Sequence, residues 1–131
     1  FDSRVVTQSE YITKVEKFVW FAARRQNCIF VGRGCHLILP YESGLSVFVT
    51  APREMRVRHI ADARGWNEEE AEKHVAEVEE QRRDFYRQHF QQEMDDMQHH
   101  DFGVNLRQTS IEAAAEWLAE RVRKRFGDHA R

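Results

Sequence analysis

Three groups of arginines are the residues whose types and spacing could do chemistry. Arg33 stands between Gly32 and Gly34, directly after the apolar run Cys28-Ile29-Phe30-Val31. A guanidinium offers planar, paired donors that suit phosphate, and flanking glycines let a ligand approach the backbone closely. Arg82, Arg83 and Arg87 lie within six residues, interleaved with Glu79, Glu80 and Asp84. Arg83 and Arg87 are four apart, so on a helix they share a face and could embrace an anion whose charge is spread over several oxygens. Arg53, Arg56 and Arg58 follow the apolar run ending at Val49, where a guanidinium plane could stack on a base. Each group also has a bland reading. The first is a turn with one exposed arginine, the second a solvated helix laced with ion pairs such as Glu79 to Arg83, the third a solvated face. Taken singly, the bland readings are preferred.

Other candidates carry less. His99-His100-Asp101 has metal-binding types, but no third ligand at helical spacing joins them, and no metal site is expected. Cys28 and Cys35 lack the tight spacing of a zinc or redox pair, and Cys28 reads as a small core residue. Asp101-Phe102-Gly103 spells a protein-kinase signature without its companion elements. Tyr86 and Phe90, beside the arginines, are candidates for anchoring a mobile helix. The balance of 20 Lys and Arg against 22 Asp and Glu, net charge -2, argues against binding a nucleic-acid polymer. No apolar run is long enough to span a bilayer, no signal peptide opens the chain, and two cysteines are too few for a disulfide framework. A cytoplasmic setting is expected. The chain opens on Phe1 rather than Met, so it is expected to be a piece of a longer protein.

Positioning these groups falls to elements legible from periodicity. Tyr11, Ile12, Val15, Phe18, Val19 and Ala22 draw one helical stripe, closed by Arg24, Arg25 and Asn27. Cys28–Val31 predicts a buried strand bounded by glycine. Leu37-Ile38-Leu39 is too short to assign. Leu45–Val49 predicts a second buried strand, and Pro52 opens a helix running to about Arg64 and stopped by Gly65. Asn67 with Glu70 forms a capping-box pattern for a long polar helix reaching about Phe90. Its thin apolar face carries Ala71, His74, Val75, Val78, Phe85 and Tyr86. A polar loop from Gln91 to Asp101 precedes a third strand, Phe102–Asn105. Ser110 caps a last helix with Ile111, Ala114, Ala115, Trp117, Leu118, Val122 and Phe126 inward. With 41% apolar residues in 131, one α/β domain spanning 1–131 with a mostly parallel sheet is expected. Its sheet is narrow, and a strand and helix before Phe1 would complete it.

In order and spacing these pieces resemble the cytidylate kinase-like family of nucleoside monophosphate kinases, from about Val19 to Phe126. The matching stretches are Ile29-Phe30-Val31-Gly32-Arg33-Gly34, Val47-Phe48-Val49-Thr50-Ala51-Pro52, Glu54-Met55-Arg56-Val57-Arg58, Glu79 to Arg87, and Asp101-Phe102-Gly103-Val104-Asn105. The resemblance implies a three-layer P-loop kinase fold, incomplete at the N-terminus. It implies transfer of the ATP γ-phosphoryl group, with Mg²⁺, to CMP or dCMP. Gly32, Arg33 and Gly34 would bind the acceptor phosphate. Arg82 and Arg87, with Arg83, would act catalytically in a lid at about 79–100, and Arg56 would lie near the adenine. The chain departs from the family in having no GxxxxGK[ST] run. Val31 and Gly34 stand where carboxylates are typical, and Glu79 replaces an aspartate. The alternative is a non-catalytic module that binds nucleotides or a protein partner.

Overall fold

A computed structural model describes residues 8–127. The elements are α1 (Gln8–Arg25), α2 (Cys35–Ile38), β1 (Val47–Thr50), α3 (Arg53–Arg64), α4 (Glu68–Phe90), β2 (Phe102–Asn105) and α5 (Ile111–Phe126), with 3-10 turns at Tyr41–Ser43 and Met97–His99. Local chemistry fixes the helix ends. Pro52 precedes α3, and Gly65, at φ 66°, ends it in the left-handed conformation that glycine adopts without strain. The Asn67 side chain accepts from the Glu70 amide at 2.8 Å and opens α4. Ser110 does the same for α5 through the Ala113 amide at 3.1 Å. No helix among the described residues is long and apolar enough to cross a membrane.

β1 and β2 pair in parallel, with Val47 opposite Phe102 and Thr50 opposite Asn105. The α3–α4 hairpin forms the connection between them, as parallel strands require a long crossover. Its core is Val57, Ala71 and Val75, flanked by Ile60 and Ala61. Val19 on α1 and Ala114 on α5 are the other buried apolar residues among those described. The sheet and helices are compatible with the expected α/β class, and among the described residues the sheet has two parallel strands.

Several local expectations change. Cys28–Val31 is not a strand: among the described residues no backbone hydrogen bond reaches it from a neighbour. Ile29 and Val31 are 94% and 89% exposed. Apolar sequence favours a strand only where a ladder and two covered faces are supplied. Cys28 is exposed, its thiol directed at the Ala22 and Gln26 carbonyls, rather than a core residue. β1 is not buried on both faces, since β2 covers one edge and Val49 is 53% exposed. Leu37 and Ile38 belong to α2. On α5, Ala114 is buried, but Ile111, Trp117, Val122 and Phe126 are exposed. Phe18 on the α1 stripe is 67% exposed, so the inward stripes of α1 and α5 are only partly covered.

Ala71 has no exposed surface against α3, so a larger side chain has no space. Ala71→Leu is expected to lower unfolding free energy by about 1–3 kcal/mol, while Ala76→Leu on the exposed face changes it by less than about 0.5 kcal/mol. Urea titrations of both variants check this.

Candidate functional site

The turn bearing Arg33 has an unusual backbone. Gly32, Arg33 and Gly34 have φ of 78°, 59° and 69°. The Cys35 amide closes the turn on the Gly32 carbonyl at 3.4 Å, and the Leu37 amide bonds to the Gly34 carbonyl at 2.8 Å as α2 begins. Glycine tolerates this region, but Arg33 is strained there by roughly 1–2 kcal/mol, so its surroundings must hold it. They do so through α4. Gly34 is buried, and a Cβ on it would overlap Cε2 of Phe90 and lie 2.7 Å from its Cζ. The sequence signal at Gly34 is thus a packing requirement as well as a conformational one. The Arg33 guanidinium lies over the Phe85 ring, 5.9 Å from its centroid, within cation–π range.

Phe85 sits at the centre of an aromatic cluster. Tyr11 of α1, Tyr86, His89 and Phe90 all meet it edge-on or nearly so, at 6.4, 6.0, 4.7 and 6.1 Å. Arg82, Phe85 and Tyr86 fall on one face of α4, being spaced by three and four residues. Burial pushes the Tyr86 phenol up, while the Gly34 backbone and the Arg82 charge pull the other way. The structure therefore brings Gly32, Arg33 and Gly34 against the part of α4 that carries Arg82.

Arg53, Arg56, Arg83 and Arg87 have carboxylate partners, whereas Arg58 has none within salt-bridge distance among the described residues. Arg83 bonds to Glu79 at 3.2 Å and has Asp95 at 3.9 Å. Arg87 bonds to Glu93 at 2.9 and 3.3 Å. Arg56 donates from Nε to the Ala51 carbonyl at 3.1 Å and lies 3.6 Å from Glu79. Arg53 also approaches Glu79, at 3.8 Å. Partial burial alone would push the Glu79 carboxyl up, but hydrogen bonding from Arg83 and the charge of Arg56 hold it below the usual range. For Arg83 the ion-pair reading of the sequence describes the geometry. Among the described residues, Arg33 and Arg82 have no carboxylate within salt-bridge distance. On the Arg33 turn and the face of α4 beside it, these two cations are left available for an outside anion.

A second feature, missed in the sequence, lies beside this site. His36 of α2 stacks on His100 with ring centroids 4.4 Å apart, and Tyr86 stands 5.9 Å from His36. The Phe48 ring lies 5.3 Å from His100. His100 Nε2 lies 3.4 Å from the Met94 carbonyl, and Nδ1 lies 2.8 Å from the Ser46 hydroxyl. Asp101 accepts from the Ser46 amide at 2.8 Å and lies 3.6 Å from Arg125. Burial and the neighbouring imidazoles of His100 and His99 push His36 down to about 4. The adjacent histidines act in packing, each with its own partner: His99 is 3.1 Å from Gln92. No group of three His, Cys, Asp or Glu side chains able to hold a metal ion occurs among the described residues. Arg33 and Arg82, as guanidiniums without a carboxylate partner, suit the oxygens of a phosphate group.

The sequence matches the model of the cytidylate kinase-like family over residues 2–108. No curated protein matches it. Among solved structures, an uncharacterized protein from Eubacterium ventriosum is similar with a TM-score of 0.78 at 13% identity. The similarity covers 86% of this chain and 65% of that one. At that identity the likeness concerns the fold alone, and this chain spans about two thirds of that protein's length.

The His36 geometry sets a pH dependence. Its folded value of about 4 lies below the ordinary histidine value of 6.5, so the unfolded chain takes up the proton first and acid favours unfolding. The contribution is complete above pH 6.5 and is lost as pH falls toward about 4. Denaturation midpoints measured across that range are expected to fall for the wild type, and to fall less steeply for His36→Phe.

Proposed function

The chain belongs to the cytidylate kinase-like family, and from that premise we propose that the intact protein is a nucleoside monophosphate kinase that transfers the γ-phosphoryl group of ATP to CMP or dCMP. The observation that carries this reading is the Arg33 turn seated on the Arg82 face of α4, with neither guanidinium bound to a carboxylate. Phosphoryl transfer asks a protein mainly for positioning and for stabilisation of charge spread over oxygens. Arg33 holds the acceptor phosphate through paired N–H donors, and Gly32 and Gly34 keep side chains away from it. Arg82 neutralises charge that develops during transfer. Arg83 and Arg87 enter the lid role by exchanging Glu79 and Glu93 for phosphate oxygens. Arg56, tethered to the Ala51 carbonyl, lies on the adenine side. ATP, when bound, would supply the phosphoryl group, and Mg²⁺ would offset the charge on its phosphates.

A lid at about 79–100 then comprises the end of α4 and the loop beyond it. Closing the Met97 loop over the nucleotide excludes water from the transferring group.

Coupled assays of ADP release by the full-length protein with CMP, dCMP and UMP are expected to show turnover with the cytidine nucleotides. Arg33→Ala is expected to raise KM for the acceptor at least tenfold with kcat less affected. Arg82→Ala is expected to lower kcat, since contacts that tighten in the transition state act there. Absence of turnover with every monophosphate, with CMP still bound, would favour a non-catalytic nucleotide-binding module instead.

A further inference from the structure

We infer that Phe85 is the positioning residue for Arg33, holding its guanidinium on the Arg82 face of α4 so that the two cations stand ready around one anion. The inference rests on the proposed reading of Arg33 as a phosphate ligand and extends it to a residue that makes no use of hydrogen bonds.

The physical problem is that two guanidiniums on one face repel each other. An arginine in a flexible turn would ordinarily swing into water or onto a carboxylate. Here the backbone is fixed at φ 59° between two glycines, and the side chain ends over the Phe85 ring at 5.9 Å. The π face attracts the cation without neutralising it. A carboxylate in that place would hold Arg33 equally well, yet it would compete with an incoming phosphate, as Glu93 does at Arg87. An aromatic ring leaves the full charge and every N–H donor available. Phe85 is itself immobilised by Tyr11, His89 and Phe90, so the position it gives Arg33 is defined by two helices. Phe90 completes the arrangement by packing on Gly34.

The test uses the full-length protein with CMP, and with inorganic phosphate as a simpler probe. In the wild type, the Arg33 Nε–Hε resonance is expected to be shifted by the ring current of Phe85. A resonance at the free-arginine position would overturn the inference without any variant. Phe85→Leu keeps apolar volume and removes the π face. It is expected to abolish that shift and weaken CMP binding about two- to fivefold, the range spanned by an exposed cation–π contact. KM for CMP should rise by the same factor with kcat unchanged. Phe85→Trp restores a π face and is expected to recover both binding and shift. Equal weakening in the Leu and Trp variants would mean that Phe85 acts only through packing, and the inference would fall. A ring-current shift lost in Phe85→Leu, with no CMP or phosphate binding by any form, would uphold the positioning role and contradict the kinase reading.

Discussion

The close approach of Phe90 to the backbone of Gly34 is the contact on which the rest of the site depends. Only a residue without Cβ lets the ring of α4 sit there, and the same residue must adopt φ 69°. Once that contact is made, the turn cannot slide along the helix. Arg33 is then delivered to Phe85, five residues earlier on α4, and α2 emerges in the direction that stacks His36 on His100. One steric requirement thus joins the turn, the long helix and the loop leading to β2.

Charge is distributed around this contact in two ways. Glu79 gathers Arg53, Arg56 and Arg83, and Glu93 takes Arg87. These exposed or half-exposed pairs contribute little stability each, but they prevent a block of arginines from repelling itself. Arg33 and Arg82 are left out of the balancing. In a chain with net charge -2, the local positive potential comes from which arginines have carboxylate neighbours, and overall composition says nothing about it.

The helices were legible because their signals are local. Asn67 and Ser110 cap, Gly65 and Gly127 terminate, and the apolar stripes of α3 and α4 meet at Val57, Ala71 and Val75. Cys28–Val31 was not legible, because strand formation depends on a partner that sequence reading cannot place, and the same uncertainty inflated the expected burial of β1. In the site, Arg33, its glycines and Arg82 were visible as chemistry. Phe85 was visible only as one residue of an apolar stripe, since a ring that packs and a ring that holds a cation share the same helical spacing. The His36–His100 stack joins residues 64 positions apart in sequence, and nothing in either neighbourhood announces it.

The account stands on Arg33 and Arg82 serving a single anion. A double-mutant cycle on kcat/KM for CMP, using Arg33→Ala, Arg82→Ala and the combined variant of the full-length protein, measures this directly. Shared service predicts non-additive losses, with a coupling free energy on the order of 1 kcal/mol or more. Losses that add within about 0.3 kcal/mol would place the two guanidiniums in separate sites and contradict it.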